Sequence, residues 1–348
     1  MGPARPLLAI GLISGGLDSS LAAALLKDLG VQVHGLNFST GFCKTDHRRA
    51  INDPREAPER LRNPALRSGV LVGFPVEVVD VATAYLEMVK APRFGYGANV
   101  NPCIDCRIFM LRRAKAVMEE RHADLVFTGE VLGQRPMSQH KRALRVIEEQ
   151  AGLGGRLLRP LSARFLPPTI PEREGWLDRQ RLLDVQGRSR KRQMELAERL
   201  GLKQYPQPSG GCCYLADPNF ARRFRDLVAG AVGGRVTTEE TTLLKVGRHF
   251  RLAPGLKLVA GRNEGENRFL QRFAPGNWTF VAFDAASSLA VGLGEPDTAQ
   301  KRLMASIVAR YSRHRECPEV EIVARRDGNR QTIRVPPAGD DLLARFRL

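Results

Sequence analysis

Two glycines and three serine hydroxyls stand together in Ser14-Gly15-Gly16-Leu17-Asp18-Ser19-Ser20, between a short apolar run over 7–13 and a helical pattern over 17–29. Glycine lets a backbone turn tightly, and a helix N-terminus offers unpaired N–H groups, so the stretch is an anion cradle suited to phosphate. No Lys follows it, unlike the G-x-x-x-x-G-K-[ST] loop, and it lacks the G-x-G-x-x-G spacing. A plain glycine turn capped by Ser14 or Asp18 would look similar. As a phosphate site, Ser14, Gly15, Gly16, Ser19 and Ser20 would hold the anion. Asp18, which phosphate repels, would orient the loop or a Mg2+ ion. In Thr128-Gly129-Glu130-Val131-Leu132-Gly133-Gln134, two glycines permit close backbone approach, and Glu130 and Gln134 offer polar contacts to a nucleotide or a base.

Cysteine carries the second chemistry. Cys103 and Cys106 form a C-x-x-C in Asn101-Pro102-Cys103-Ile104-Asp105-Cys106, just ahead of a helix read over 107–121, where N–H groups favour thiolates. Cys212 and Cys213 follow in Ser209-Gly210-Gly211-Cys212-Cys213. Two such thiols suit the passing of a persulfide sulfur that ends as a disulfide. Three suit three irons of a 4Fe-4S cluster with the fourth iron open. With Cys212 as fourth ligand, a tetrahedral zinc site is the alternative. Adjacent cysteines rarely share one metal, so Cys212 is expected to pack or stand spare. Cys43 can approach the same cleft, and Cys317 is expected to be an ordinary buried thiol.

The elements that must position these residues are legible in outline. VQVHGLNF (31–38), VEVVDV (76–81) and DLVFTG (124–129) read as strands after the one at 7–13. Strands alternating with helices imply an α/β fold, a doubly wound parallel sheet. Both glycine-spaced stretches then fall at C-terminal strand ends, where ligands of open α/β sheets gather. Pro and Gly thicken over 154–175 and 205–211, bracketing the basic stretch GRSRKRQ (187–193) and the helical MELAERLG. The reading is a catalytic domain over 1–215, a connecting helix or linker over 216–235, and a smaller α+β domain over 236–348 built from HFRL, LKLVAG, WTFVAF, a helix at 298–311, EVEIVARR and TIRV.

The 348 residues, 43% hydrophobic, can bury such cores. Fifty-four Lys and Arg against 37 Asp and Glu give a net charge of +17, a field that attracts polyanions, nucleic acid first. Arg135, Lys141, Arg142 and Arg188–Arg192 are candidate phosphate contacts, although a charge run is usually a solvated face. The opening apolar stretch is too short to span a bilayer and lacks a cleavage pattern, so no membrane and a cytoplasmic location are expected. Six clustered cysteines do not suit a secreted disulfide framework.

SGGLDSS at the end of the first strand resembles the SGGxDS signature of the PP-loop ATP pyrophosphatases. That resemblance implies an adenine nucleotide alpha hydrolase-like fold, cleavage of ATP between the α and β phosphates, pyrophosphate in the loop with Mg2+, and adenine near Asn37 and Phe38. TGEVLGQ resembles the TGExxGQ segment of tRNA 4-thiouridine synthetases, which places Gly129, Glu130 and Gln134 beside ATP or the target base. The NPxxxC pattern resembles that of tRNA 2-thiouridylases and places Cys106 on their catalytic cysteine, with Cys103 in place of a neighbouring aspartate. SGGCCYL resembles their STGxCF stretch and places Cys213 on the second active-site cysteine. The resemblance thus implies Cys106 and Cys213 as the persulfide pair, while the substitution at Cys103 makes Cys103, Cys106 and Cys213 a three-thiolate set and favours the cluster.

Residues Gly247–Leu252, Lys257–Glu264, Glu266, Asn267 and the Trp278 strand resemble the RNA-binding domain of NFACT proteins, although a basic domain used for dimerisation is the plainer alternative. Together the resemblances imply ATP-dependent thiolation of a tRNA uridine. Classical 4-thiouridine synthetases carry their RNA-binding parts ahead of the catalytic domain, and no rhodanese-like sulfur carrier is visible, so an external sulfur donor is expected. An ammonia- or amine-using PP-loop ligase, an RNA-binding protein that kept a nucleotide fold, and sulfur transfer to a small metabolite are the rivals. The two sets of motifs disagree on oxygen 4 against oxygen 2.

Overall fold

The computed structural model describes residues 5–44, 47, 63–202, 213–283 and 288–348. The chain divides into two compact units, one of residues 1–46 and 57–216, the other of 47–56 and 217–348.

In the first unit, β1 (Leu8–Leu12), β2 (Gln32–Ser39), β3 (Val76–Asp80), β4 (Leu125–Thr128) and β5 (Leu157–Leu158) form a parallel sheet in the order β3-β2-β1-β4-β5. Around it run α1 (Leu17–Asp28), α2 (Pro64–Val72), α3 (Ala82–Lys90), α4 (Cys103–Glu120), α5 (Lys141–Ala151), the short α6 (Ile170–Arg173) and α7 (Lys191–Arg199). Alternate side chains of β1 feed two cores. Ala9 joins Leu21 and Leu26 of α1 and Phe127 on one face. Ile10 joins Leu111 of α4 and Ile147 of α5 on the other. Coverage of both faces is why these strands read as continuous apolar runs. The strand order reverses between β1 and β4, so the segments after those two strands flank the crevice of a doubly wound sheet.

The second unit is an antiparallel sheet in the order β11-β10-β8-β9-β7-β6, built from β6 (Arg248–Ala253), β7 (Leu256–Ala260), β8 (Trp278–Ala282), β9 (Ala290–Leu293), β10 (Val320–Arg326) and β11 (Asn329–Val335). Its helices are α8 (Pro218–Ala229), α9 (Thr238–Leu243), α10 (Glu264–Leu270), α11 (Thr298–Arg310) and α12 (Asp340–Phe346). Met304, Ile307 and Val308 of α11 pack on Phe280 and Ile322, which closes the main core on one sheet face.

The α/β sheet with a second α+β unit is as the sequence implied, and three details differ. The helix expected at 107 begins at Cys103, with Pro102 as its N-cap and the Cys106 N–H already donating to Pro102 O at 2.8 Å. The cysteines therefore sit in its first turn. Helix α8, read as part of a connecting stretch, belongs to the second unit. Cys317 is exposed, not buried, because it follows the run Arg313-His314-Arg315-Glu316 in a solvated turn. Ser209, Gly210, Gly211 and Cys212 lie outside the described residues. Among the described residues, no helix is long and apolar enough to cross a membrane.

Candidate nucleotide and sulfur site

The loop after β1 is shaped around its glycines. Gly15 takes φ +74°, and a β-carbon there would lie 2.2 Å from the Pro64 carbonyl carbon, so only glycine lets the loop pass the start of α2. Gly16 is the N-cap of α1 and supplies no side-chain cap, which leaves the first turn suited to an anion acting as cap. The serines differ in access. Ser20 is buried and shares a 2.7 Å hydrogen bond with Ser68 of α2 while donating to Gly16 O. Ser19 donates to Gly16 O at 3.0 Å and lies 3.2 Å from the Ser14 hydroxyl. Ser14 is exposed at the loop tip.

Asp18 joins the two glycine-spaced motifs. Its Oδ2 accepts from Gln134 Nε2 at 3.1 Å, across 116 residues of chain, and Arg190 Nη2 lies 3.7 Å from the same oxygen. Its Oδ1 is buried and meets no hydrogen-bond partner among the described residues. Burial pushes the Asp18 carboxyl above its ordinary range, against Gln134, Arg190 and Arg135, which pull it down. An orphaned carboxylate oxygen beside an anion cradle fits a cation such as Mg2+. Gly129 stands where a β-carbon would come within 2.4 Å of the Ser19 nitrogen, so the loop after β4 lies directly on the first turn of α1.

Glu130 is placed differently from Gln134. It is buried, 3.2 Å from Arg159 Nε and 3.4 Å from Arg107 Nε, and accepts from Thr128 Oγ1 at 3.2 Å. Arg159 continues to Glu148 at 2.9 Å. Glu130 thus ties the loop to α4, one residue past Cys106, and this network rather than open space occupies it. Asn37 donates to Ile13 O at 2.8 Å and accepts from Asn63, the N-cap of α2, at 3.1 Å. Phe38 is half-buried against the core beneath α4. Both residues lie at the C-terminal end of β2, on the edge of the sheet that carries the phosphate loop.

The cysteines converge on that edge. Cys43 and Cys213 face each other across an antiparallel bridge, and Tyr214 N donates to Phe42 O at 2.9 Å. Val100 N donates to Leu215 O at 3.1 Å, and Asn99 Nδ2 to Ala216 O at 2.8 Å, which ties the approach to α4 to the same segment. Asp105 accepts from the backbone N–H groups of Arg93 and Phe94 at 3.1 and 2.9 Å and so fixes the first turn of α4. Cys43, Cys103, Cys106 and Cys213 are all half-buried. Among the described residues, however, no three His, Cys, Asp or Glu side chains gather as a metal site requires. As placed, Cys103, Cys106 and Cys213 do not form a three-thiolate set, and no step is derived through a cluster.

Arg190 and Gln193 were legible only as members of a basic stretch. The run is split: Arg190 turns to Asp18, whereas Arg192 pairs with Asp184 at 2.6 Å. The available signal was position, since Gln193, Leu196 and Ala197 fall on one helical stripe.

Fold and loop together resemble the PP-loop type of α/β domain, here followed by an antiparallel α+β unit. Residues 8–163 match the family model described as thiamine biosynthesis protein (ThiI), and residues 247–347 the model described as NFACT protein RNA binding domain. The chain is 33% identical over 121 residues to the tRNA-specific 2-thiouridylase MnmA of Syntrophotalea carbinolica, covering 34% of this chain and 32% of that protein. It is 31% identical over 144 residues to that of Rhodopseudomonas palustris, covering 38% and 33%. The match thus spans about a third of the length of these curated relatives. Among solved structures, a 4-thiouridine synthetase–RNA complex with bound ATP aligns at 21% identity over 56% of this chain and 51% of that one, with a TM-score of 0.33. The C-terminal part of a fibronectin/fibrinogen-binding protein from Streptococcus suis aligns at 14% identity over 70% and 94%, with a TM-score of 0.27.

Proposed function

We propose that this chain uses ATP to replace a carbonyl oxygen of a tRNA uridine with sulfur. The observation that carries the reading is the meeting, on one sheet edge, of the phosphate loop, the Gln134–Asp18 contact and the corner formed by Cys43, Cys213 and the first turn of α4. The family matches to both units support it.

In the proposed reaction the uridine oxygen attacks the α-phosphorus of ATP, the Pα–O–Pβ bond breaks, and pyrophosphate leaves into the loop of Ser14, Gly15, Gly16 and Ser19. The ring N–H proton departs, which leaves an adenylated oxygen on a ring carbon. A sulfur nucleophile from an external donor then bonds to that carbon, the C–O bond breaks, AMP leaves, and the ring regains a proton. Asp18 would hold Mg2+, which offsets the charge on the leaving phosphates. Donors in place before the reaction lower the barrier because they need no rearrangement as charge develops. Holding both reactants at one edge removes much of the entropic cost of their meeting.

For sulfur delivery, an external persulfide donor would pass its outer sulfur to the Cys106 thiolate and leave as a thiol, and that outer sulfur would then attack the activated carbon. Cys213 would then release the product by forming a disulfide with Cys106. Cluster-dependent delivery would use Cys103 as a third thiol, and the arrangement of the cysteines described above does not favour it. Convergence of the three would be needed, and iron and acid-labile sulfide in protein purified without oxygen decide between the two. RNA phosphates would meet Arg188 and Lys191, which are exposed, and the second unit. There, Lys301, Arg302 and Arg334 line a groove of about 510 Å3 between α11 and the edge strand β11.

Asp18→Asn tests the adenylation half. With ATP, tRNA and sulfide present, pyrophosphate release should depend on the RNA and fall roughly 100-fold or more in the variant. RNA-independent release, or release unchanged in the variant, would remove the loop from the reaction.

A further inference from the structure

Gln193 is fully buried, yet neither its Nε2 nor its Oε1 meets a hydrogen-bond partner among the described residues. Such orphaned groups are costly, and folded proteins rarely keep them without a use for the group. Its surroundings suggest the use. Helix α7 packs on α1, the helix that starts at the phosphate loop. Arg190, three residues before Gln193 on the same face, reaches Asp18, and Gln193 itself lies near enough to help hold the Asp18 carboxyl down. Asp18 Oδ1 is likewise buried without a partner. The Gln193 amide thus makes at most a long, weak hydrogen bond to the Asp18 carboxyl, and with Asp18 Oδ1 it is kept dry and short of close partners where α7 meets the phosphate loop. A phosphate needs the donor, and a hydrated cation needs the acceptors.

We propose that Gln193 is a nucleotide-binding residue: its Nε2 donates to a phosphate oxygen of bound ATP, and its Oε1 joins Asp18 Oδ1 in facing the cation that accompanies the phosphates. The inference rests on the ATP reading above. It assigns the inner face of α7 to nucleotide and leaves Arg188 and Lys191, on the outer side of the same segment, to RNA.

A purely structural glutamine and a ligand-binding one respond differently to Gln193→Leu. Removal of an unpaired buried amide for an apolar group of similar size should raise the melting temperature of the nucleotide-free protein in either case. If Gln193 binds nucleotide, calorimetry with Mg2+-ATP should also show affinity at least ~10-fold weaker, the loss of about one hydrogen bond to a charged group. Affinity for inorganic pyrophosphate should fall in parallel. Gln193→Glu, which sets a second carboxylate beside Asp18, should bind more weakly still. Wild-type affinity in a Gln193→Leu protein that melts higher would overturn the proposal. If that variant does not fold, Gln193→Met decides by the same pair of readouts. Wild-type protein that binds no ATP would defeat the ATP reading itself, an outcome distinct from the failure of Gln193.

Discussion

Gly129 is the residue whose role is easiest to isolate, because its missing β-carbon is what lets the loop after β4 rest on the first turn of α1. Gly129→Ala would drive a methyl group into backbone atoms that cannot rotate away. The expected outcome is nucleotide affinity lost by ~100-fold or more, with destabilisation of about 2 kcal/mol, read by calorimetry and by urea unfolding. Wild-type affinity in that variant would mean that the two loops do not act together. Asp18 carries a second expectation. Its carboxyl is raised in the folded protein, so between the ordinary value and the raised one the folded state binds more protons, and stability falls as pH rises through that window. Asp18→Asn should therefore melt at or above wild type at neutral pH while the reaction is lost. The types and order of these residues were legible in the sequence, because glycines and serines between a strand and a helix are what an anion cradle needs. The partners were not: Gln134 meets Asp18 only because β1 and β4 are neighbours, and Glu130, read as a nucleotide contact, is drawn instead to Arg159 and Arg107.

At the scale of elements, periodicity found four of the five strands of the parallel sheet, missing the two-residue β5, and the helices α1, α4 and α11. It passed over β9, four residues long, and α12, seven residues at the end of the chain. The start of α4 lies four residues ahead of the one expected, because Pro102 serves as the cap from which the helix begins and the cysteines enter its first turn. The second unit also buries charge that no pattern announces. His249 is fully buried and bonds through Nε2 to Val246 O at 2.8 Å, and burial with nearby Lys257 and Arg223 holds its pKa well below the ordinary range. His47, packed edge-on to Phe269, is lowered to about 4 by burial first and by Lys245. In the unfolded chain both titrate near 6.5, so between about 4 and 6.5 the unfolded state binds more protons, and stability is lost as pH falls through that window. With Trp176→Phe in place so that Trp278 reports on this unit, the melting temperature should drop between pH 7 and pH 5, and His249→Leu should make that slope shallower. A melting temperature independent of pH over this range would contradict the burial of both imidazoles.

For the whole molecule, a net charge of +17 indicated a polyanionic partner, but composition could not say which surface meets it. The fold separates the cations: Arg107, Arg159 and Arg190 lie on carboxylates of the first unit, while Lys301, Arg302 and Arg334 open onto a groove in the second. The central claim, that ATP is spent to exchange oxygen for sulfur on a tRNA uridine, has one most direct measurement. Protein purified without oxygen is incubated with unmodified tRNA, Mg2+-ATP and, in parallel, sulfide or a small-molecule persulfide donor, and the digested nucleosides are then weighed by mass spectrometry. The account predicts a uridine heavier by the exchange of one oxygen for one sulfur, formed only with ATP and absent with Asp18→Asn protein. Unmodified uridine throughout, from protein that binds both ATP and the RNA, would contradict it.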